Sequence, residues 1–373
     1  MSVFLPFREP SDKRRILSID GGGVRGLIAI EVLAALEDTL RRRTGRQDLV
    51  LSDVFDFFAG TSTGAIVAAK LAIGGSVADG RAFFVNEVPA VFKNSWRNLM
   101  TARYDAEPLA QRLQHLYGNL RLGSDQFKAL LLVVLQNAST GSRWILTNNP
   151  FAKYNDRALD DCNLNLELWR IIRASTAAPT YFPAKRIALG DDKAKDFVFV
   201  DGALSGLNNP AFRAVVTATT NTFGLNWRAD PKSLFILSLG TGISPNAKAG
   251  IEPHQINFLH AAENVPKALL AGAEQEQDLL CRLFGDCIAG PPVDSELGDL
   301  IGESGPGPEK LFTYARLNFV MTDDGLAQLG LPDIAASSVE ALDGVHALEN
   351  LSRIGAQLAK RSLAEPILER LLD

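Results

Sequence analysis

Hydrophobic and polar positions near the N-terminus form a short apolar run followed by a stretch of helical spacing. The run Arg15–Asp20 (RILSID) predicts a buried strand, and it ends in the glycine-rich stretch 21–26. Apolar residues then recur at helical spacing at Ile28, Val32, Leu33, Leu36 and Leu40. The pattern therefore predicts a strand, a tight turn and a helix.

The same order of elements returns between residues 54 and 73, where a Phe-rich run is followed by a glycine-flanked turn and an apolar helix. Further helices are predicted around residues 81–92, 106–117 and 166–177, with others towards the C-terminus. The later strands are predicted at Val54–Ala59, Ala129–Gln136, Trp144–Asn148, Phe197–Val200, Leu234–Leu239 and Leu311–Phe319. Because strands alternate with helices, we expect an α/β fold of three layers, α/β/α, with a mostly parallel central sheet.

The domain organisation follows from the absence of a clean linker. The stretch 289–308 is rich in Gly, Pro and acidic residues and predicts an exposed loop. We expect residues 14–214 to form the core of the fold, and residues 215–373 to be a C-terminal extension of strands and helices packed on the same sheet.

Composition and charge narrow the classes of function. Hydrophobic residues make up 46% and charged residues 22%, which is typical of a soluble globular protein, and a net charge of −5 gives no electrostatic footprint for nucleic acid. Three scattered cysteines predict a reducing compartment and no metal site. Because there is no secretory-signal pattern and no apolar run of roughly 18 residues, we expect a cytoplasmic protein that meets any membrane peripherally.

The glycine-rich turn after the first strand, Gly21-Gly22-Gly23-Val24-Arg25-Gly26, has more than one interpretation. It matches the G-x-G-x-x-G fingerprint of dinucleotide-binding folds, but the acidic residue expected about 20 positions later is missing, and Arg41–Arg43 lie there instead. Alternatively, its backbone N–H groups point inward at a helix N-terminus and bind an oxyanion. A tight turn without any chemical role is the third interpretation.

The second turn, Gly60-Thr61-Ser62-Thr63-Gly64, is a G-x-S-x-G between a predicted strand and a predicted helix. This is the context of a nucleophile elbow, in which the serine hydroxyl projects above the sheet. The flanking Gly60 and Gly64 leave room for the sharp turn. We therefore expect Ser62 to be a catalytic nucleophile.

The choice of general base distinguishes two mechanisms. A Ser-His-Asp triad needs a histidine after a strand late in the chain, and none of the four histidines is placed so; they are His115, His254, His260 and His346. Asp201-Gly202-Ala203, by contrast, directly follows a predicted strand. A carboxylate there can accept the serine proton without an imidazole, although a structural turn aspartate is the alternative.

Taken together, these segments resemble the patatin-like phospholipase family. The resemblance runs from about residue 14 to residue 242 and is carried by ILSIDGGGVRG, the stretch around GTSTG, RASTAAPTYFP, VDGALSG and SLGTG. It implies a patatin-like fold with Ser62 as nucleophile, Asp201 as its base, Gly21, Gly22 and Gly23 as oxyanion donors, and Arg25 as a contact for a lipid phosphate. Gly26, Gly60, Gly64, Gly202 and Ala203 complete the motifs, with Ala203 standing where many members have glycine.

The resemblance also implies the activity: hydrolysis of acyl esters of phospholipids or other polar lipids through an acyl-enzyme, without metal or organic cofactor. The alternative is a regulated effector, like those bacterial patatin-like proteins of antiphage defence that a nucleotide activates, which would add a small-molecule activator as a partner. The sequence shows no signature of a nucleotide site. We expect a peripheral membrane contact, with Phe92–Met100 as the candidate segment because aromatic and basic residues alternate there.

Overall fold

The computed structural model describes residues 13–92, 102–190, 195–244 and 258–373, and the side chains from residue 268 onward in the last range. Nine strands in these ranges form one sheet. They are β1 Arg14–Ile19, β2 Phe57–Thr61, β3 Leu130–Asn137, β4 Arg143–Thr147, β5 Lys185–Ala188, β6 Asp196–Asp201, β7 Leu234–Leu239, β8 Gly285–Ala289 and β9 Phe312–Leu317.

Helices connect these strands. The helices are α1 Gly26–Thr44, α2 Thr63–Ala72, α3 Val77–Asn86, α4 Val88–Val91, α5 Glu107–Tyr117, α6 Leu168–Ser175, α7 Ala211–Thr219, α8 Phe258–Phe284, α9 Asp323–Gln328, α10 Leu348–Ser362 and α11 Glu365–Leu372. Among the described residues, no helix is long and apolar enough to cross a membrane.

The strand order is β5-β6-β3-β2-β1-β7-β9-β8, with β4 also paired to β3. Every pair from β3 across to β8 is parallel, whereas β4, β5 and β6 run antiparallel to their neighbours. The expected mostly parallel sheet is therefore confirmed, with an antiparallel margin at one side.

Alternate residues of the strands enter two separate cores, one on each face of the sheet. Leu17 of β1 and Phe58 of β2 pack in the larger core beneath α1, α2, α5, α6 and α10, whereas their neighbours Ile16 and Phe57 pack in the smaller core with α7 and α8. A strand buried on both faces must be apolar at successive positions, which explains the runs in the sequence. Helices on both faces make the three-layer α/β/α fold that was expected.

Residues after 214 complete this sheet. They supply β7, β8 and β9 on the side of β1 that faces away from β2. Helix α10 packs along α1, and a Cβ at Gly355 of α10 would meet the backbone of Ile28. The basic end of α1 is also engaged here, since Arg43 forms an ion pair with Glu365 at 2.5 Å.

Several elements differ from the expected pattern. The second strand begins at Phe57, because Leu51–Asp53 form a 3₁₀ turn and the chain straightens only after Asp56. Strands β5 and β8 were not predicted, since both are short and lack an apolar run. The expected loop at 289–308 is confirmed as irregular and largely exposed beyond Ala289. Residues 93–100 of the proposed interfacial segment lie outside the described residues.

Candidate active site

Ser62 occupies a sharp turn between β2 and α2. Its backbone has φ 54° and ψ −124°, a left-handed conformation that a side-chain-bearing residue seldom adopts. The glycines beside it are required by close contacts: a Cβ at Gly60 would collide with the carbonyl of Gly64, and one at Gly64 would collide with the carbonyl of Ile19. The turn therefore has the geometry of a nucleophile elbow.

The register of β3 brings Asp201 to this turn. Val134 of β3 lies opposite Thr61, the last residue of β2, and the next residue, Leu135, lies opposite Asp201 at the end of β6. The Ser62 hydroxyl donates a hydrogen bond of 2.6 Å to Asp201 Oδ2. Ser62 is half-buried, whereas Asp201 is 3% exposed, so the pair presents the hydroxyl to the surface and shields the carboxylate.

The second oxygen of Asp201 is also fixed. The N–H of Ala203 donates to Asp201 Oδ1 at 2.9 Å. Ala203 contributes through its backbone, so alanine supplies the same hydrogen bond that glycine would at this position. Gly202 admits no side chain, because a Cβ there would collide with the carbonyl of Val134.

Burial raises the pKa of Asp201 to about 6, while hydrogen bonds from Ser62 and Ala203 and the positive charge of Arg173 lower it. The group is therefore mainly a carboxylate at neutral pH, with a proton affinity well above that of an exposed aspartate. A raised pKa in a partly shielded pair is typical of a general base.

The glycine-rich turn lies beside Ser62, since a Cβ at Gly21 would come within 3.1 Å of the Ser62 Cβ. The N–H of Gly21 donates to the Asn208 carbonyl at 3.3 Å, and the N–H of Gly22 donates to Thr63 Oγ1 at 3.1 Å. Gly23 has φ 59°, and its N–H has no protein acceptor among the described residues. Of the three predicted oxyanion donors, Gly23 is therefore the one with a free N–H.

A dinucleotide does not fit the glycine turn. In that class of site the pyrophosphate lies against the N-terminus of the helix that follows the turn. Here the N–H of Val24 donates to the carbonyl of Leu342 at 2.8 Å, and the Thr241 side chain fills the space that a Cβ at Gly22 would need. The dinucleotide interpretation of this turn is therefore wrong.

Sequence reasoning gave no role to several residues that hold the turn in place. Arg316 of β9 donates to both oxygens of Asp20, at 2.9 and 2.5 Å, and also contacts Ser238 and Glu274. Asn208 donates to the Gly21 carbonyl at 3.2 Å and to Glu274 at 2.8 Å. These contacts join distant segments, so local patterns in the chain carry no signal for them.

Arg25 follows the glycines, and its guanidinium already has protein partners. Its Nη1 donates to Ser244 Oγ at 3.0 Å, and Nε is buried without a partner among the described residues. Burial lowers the pKa of Arg25, and the charges of Glu274 and Glu340 oppose that shift. Its contact with a lipid phosphate stays a prediction.

No described histidine side chain takes part in this pair. His115 and His346 are exposed and make no hydrogen bond with Ser62 or Asp201. His254 and the side chain of His260 lie outside the described residues. Within the described ranges, no group of three or more His, Cys, Asp or Glu side chains has an arrangement that could hold a metal ion.

Comparisons with known proteins identify the family of the chain. The model of the family described as patatin-like phospholipase matches residues 17–215, just over half of the chain. Patatin-1-Kuras 2 of Solanum tuberosum is 32% identical over 244 residues, covering 61% of this chain and 62% of that protein, and Patatin-17 of Solanum cardiophyllum is 29% identical over 250 residues, covering 63% and 62%. The chain thus spans about three fifths of the length of these curated relatives.

Human GIVD cytosolic phospholipase A2 is similar over 98% of this chain and 63% of its own, with 13% identity and a TM-score of 0.49. The chain belongs to the patatin-like phospholipase family.

Proposed function

We propose that this protein is a serine-dependent lipid acyl hydrolase in which Ser62 and Asp201 act as a catalytic dyad. The observation that carries the proposal is the direct 2.6 Å hydrogen bond from the Ser62 hydroxyl to a buried carboxylate. Membership of the patatin-like phospholipase family supports the choice of a lipid acyl ester as substrate. Residues 14–214 form the catalytic core in this proposal, and residues 215–373 are an extension that completes its sheet.

In the acylation step, Ser62 Oγ attacks the ester carbonyl carbon while its proton passes to Asp201 Oδ2. The tetrahedral intermediate collapses when the C–O bond to the leaving alcohol breaks and Asp201 returns the proton to that oxygen. Water then attacks the acyl-enzyme, with Asp201 again accepting and returning a proton, and the fatty acid leaves. Asp201 carries the proton in both the acylation and the deacylation step.

The glycine turn supplies the electrostatic part of the proposal. Negative charge develops on the former carbonyl oxygen, and the free N–H of Gly23, two residues after the glycine that lies against Ser62, is the donor best prepared to receive it. The N–H of Gly22, held at 3.1 Å by the Thr63 hydroxyl, becomes a second donor if that hydroxyl rotates away. One such donor typically contributes about 2.7–4 kcal/mol to transition-state stabilisation.

The substrate side of the proposal is a phospholipid or another polar acyl lipid at a bilayer surface. The family supports the lipid class, and a peripheral approach fits an elbow serine that is only half-buried.

Release of fatty acid from phosphatidylcholine and monoacyl lipid vesicles tests the proposal. We expect turnover by the wild type, loss of turnover in Ser62→Ala and in Asp201→Asn, and turnover within about tenfold of wild type in His115→Ala, whose exposed side chain serves as the control. Fatty-acid release by folded Ser62→Ala at the wild-type rate would contradict it.

A further inference from the structure

The C-terminal turn of α6 and the residues just after it contact both members of the Ser62–Asp201 pair. Ser175 Oγ accepts a hydrogen bond from the Ser62 N–H at 2.9 Å and donates to the Val134 carbonyl at 2.7 Å. The carbonyl of Ala177 accepts a hydrogen bond from the Asp201 N–H at 3.0 Å. One short stretch, 173–177, therefore fixes the backbone on both sides of the reacting hydrogen bond.

Arg173, at the start of this stretch, is a buried cation with little direct compensation. Its side chain is 1% exposed, and its Nη2 donates to the Pro183 carbonyl at 2.9 Å. The guanidinium lies 5.6 Å from the centre of the Phe182 ring, and Nη1 is buried with no hydrogen-bond partner among the described residues. An enclosed charge of this kind destabilises a fold unless an opposite charge acts on it.

The opposite charge that acts on Arg173 is the carboxylate of Asp201. Burial lowers the pKa of Arg173 to about 10, and the Asp201 charge opposes that shift. The attraction is mutual, since the Arg173 charge lowers the pKa of Asp201 against the effect of burial. The two groups form no ion pair within 4.0 Å, so Arg173 acts on Asp201 through space and leaves its oxygens to Ser62 and Ala203.

Other charged groups near Arg173 have partners of their own. Lys185 of β5 lies 5.2 Å from the centre of the Trp169 ring, and burial and the charges of Arg170 and Arg173 lower its pKa. Glu167 pairs with Arg170 at 2.5 Å. Strand β3 carries no charged residue, and the charge of Arg173 lowers the pKa of Asp201.

We propose that Arg173 is a positioning residue whose buried charge keeps Asp201 in the carboxylate form that accepts the Ser62 proton. The inference rests on the proposed function for its catalytic meaning. Its electrostatic content rests on the burial of Arg173 and on the hydrogen bonds that the stretch 173–177 makes to the backbone of Ser62 and Asp201. Removing the charge leaves the elbow and the hydrogen bond intact but makes the base harder to ionise.

The test compares the pH dependence of kcat/KM for a short-chain ester in matched variants. Arg173→Met removes the charge and keeps a long apolar side chain, and it should move the acid limb of the profile upward by roughly one pH unit. Arg173→Lys keeps the charge and should leave the limb close to its wild-type position. Arg170→Met is the control, because it removes a guanidinium of the same helix whose side chain is 47% exposed.

A second readout does not depend on turnover. The C=O stretch of a protonated carboxyl, taken from infrared difference spectra between each background and its Asp201→Asn derivative, reports the titration of Asp201 itself. We expect its midpoint to rise in Arg173→Met and to stay in Arg170→Met. If Arg173→Met does not fold, Arg173→Gln carries the same expectation.

The outcomes separate the two proposals. An unmoved midpoint in a folded, charge-free Arg173 variant overturns the role of Arg173, whatever the enzyme hydrolyses. A raised midpoint in a protein that shows no Ser62-dependent ester hydrolysis overturns the proposed function and leaves the electrostatic role in place.

Discussion

Arg316 of β9 forms a bidentate ion pair with Asp20, the residue directly before the three glycines, although 296 positions separate the two in the chain. Arg316 is 2% exposed and Asp20 is fully buried. Arg316 also lies beyond residue 215, where the family match ends. The start of the glycine turn therefore depends on the C-terminal extension for its charge balance.

The first prediction concerns this ion pair. Arg316→Met leaves the Asp20 carboxylate buried without its cation, and we expect the free energy of unfolding to fall by about 3–5 kcal/mol. Adding Asp20→Asn removes the stranded charge, so the double variant should regain part of that loss. Urea unfolding of the three variants measures both effects. A single Arg316→Met variant as stable as wild type would show that the pair contributes nothing.

The second prediction concerns catalytic pH dependence. Asp201 must be ionised to accept the Ser62 proton, and its pKa is about 6. We therefore expect kcat/KM to be constant above that pH and to fall about tenfold for each pH unit below it. Steady-state rates with a water-soluble ester, in buffers of constant ionic strength, provide the measurement. A flat profile through pH 6 would remove Asp201 as the base.

The third prediction follows from the same pKa through its effect on stability. The carboxyl titrates at about 6 in the folded protein and near 3.8 when exposed, so the unfolded chain releases its proton more readily. The protein therefore loses stability as the pH rises from 3.8 through 6, by up to about 3 kcal/mol for the full shift.

Asp201→Asn removes this ionisation and keeps an oxygen for the Ala203 N–H. We expect the variant to be inactive yet more stable than wild type above pH 6, with a difference that shrinks towards pH 3.8. Chemical denaturation of both proteins at several pH values tests the sign. A stability difference that does not change with pH would contradict the shift.

The fourth prediction compares two helical glycines. A Cβ at Gly64, at the start of α2, would overlap the carbonyls of Ile19 and Asp20, so Gly64→Ala should destabilise the protein by about 1–3 kcal/mol and reduce turnover. A Cβ at Gly80 of α3 meets nothing within 4 Å, and Gly80→Ala should stabilise by up to about 1 kcal/mol. Thermal unfolding with parallel rate measurements distinguishes them; equal effects would place the elbow's tight contact in doubt.

The strands and the elbow motif were accessible from sequence because their determinants are local. A strand buried on both faces, such as β3, needs a continuous apolar run, and the turn at Ser62 needs small residues on both sides within five positions. The partnership of Ser62 with Asp201 came from motif order and family resemblance. The register of β3 brings the two residues together, and it cannot be inferred from the spacing of residues along the chain.

The residues that sequence reasoning missed act across the fold. In the sequence Ser175 is only a small residue of a predicted helix, yet its hydroxyl oxygen accepts a hydrogen bond from the Ser62 N–H. Arg173 is a charged residue of a predicted helix, yet α6 buries it in the larger core region beside Phe182. Arg316 belongs to β9, a short strand that is buried because β7 and β8 flank it in the sheet. Long-range packing decides all three positions.

The central claim is that Ser62 is the nucleophile and Asp201 activates it, and covalent labelling tests this most directly. A fluorophosphonate probe phosphonylates an activated serine irreversibly, and peptide mass spectrometry locates the modified residue. We predict one label per chain, on Ser62, which is absent in Ser62→Ala and formed at least about a hundredfold more slowly in Asp201→Asn. A label on another residue, or equal labelling rates in wild type and Asp201→Asn, would contradict the account.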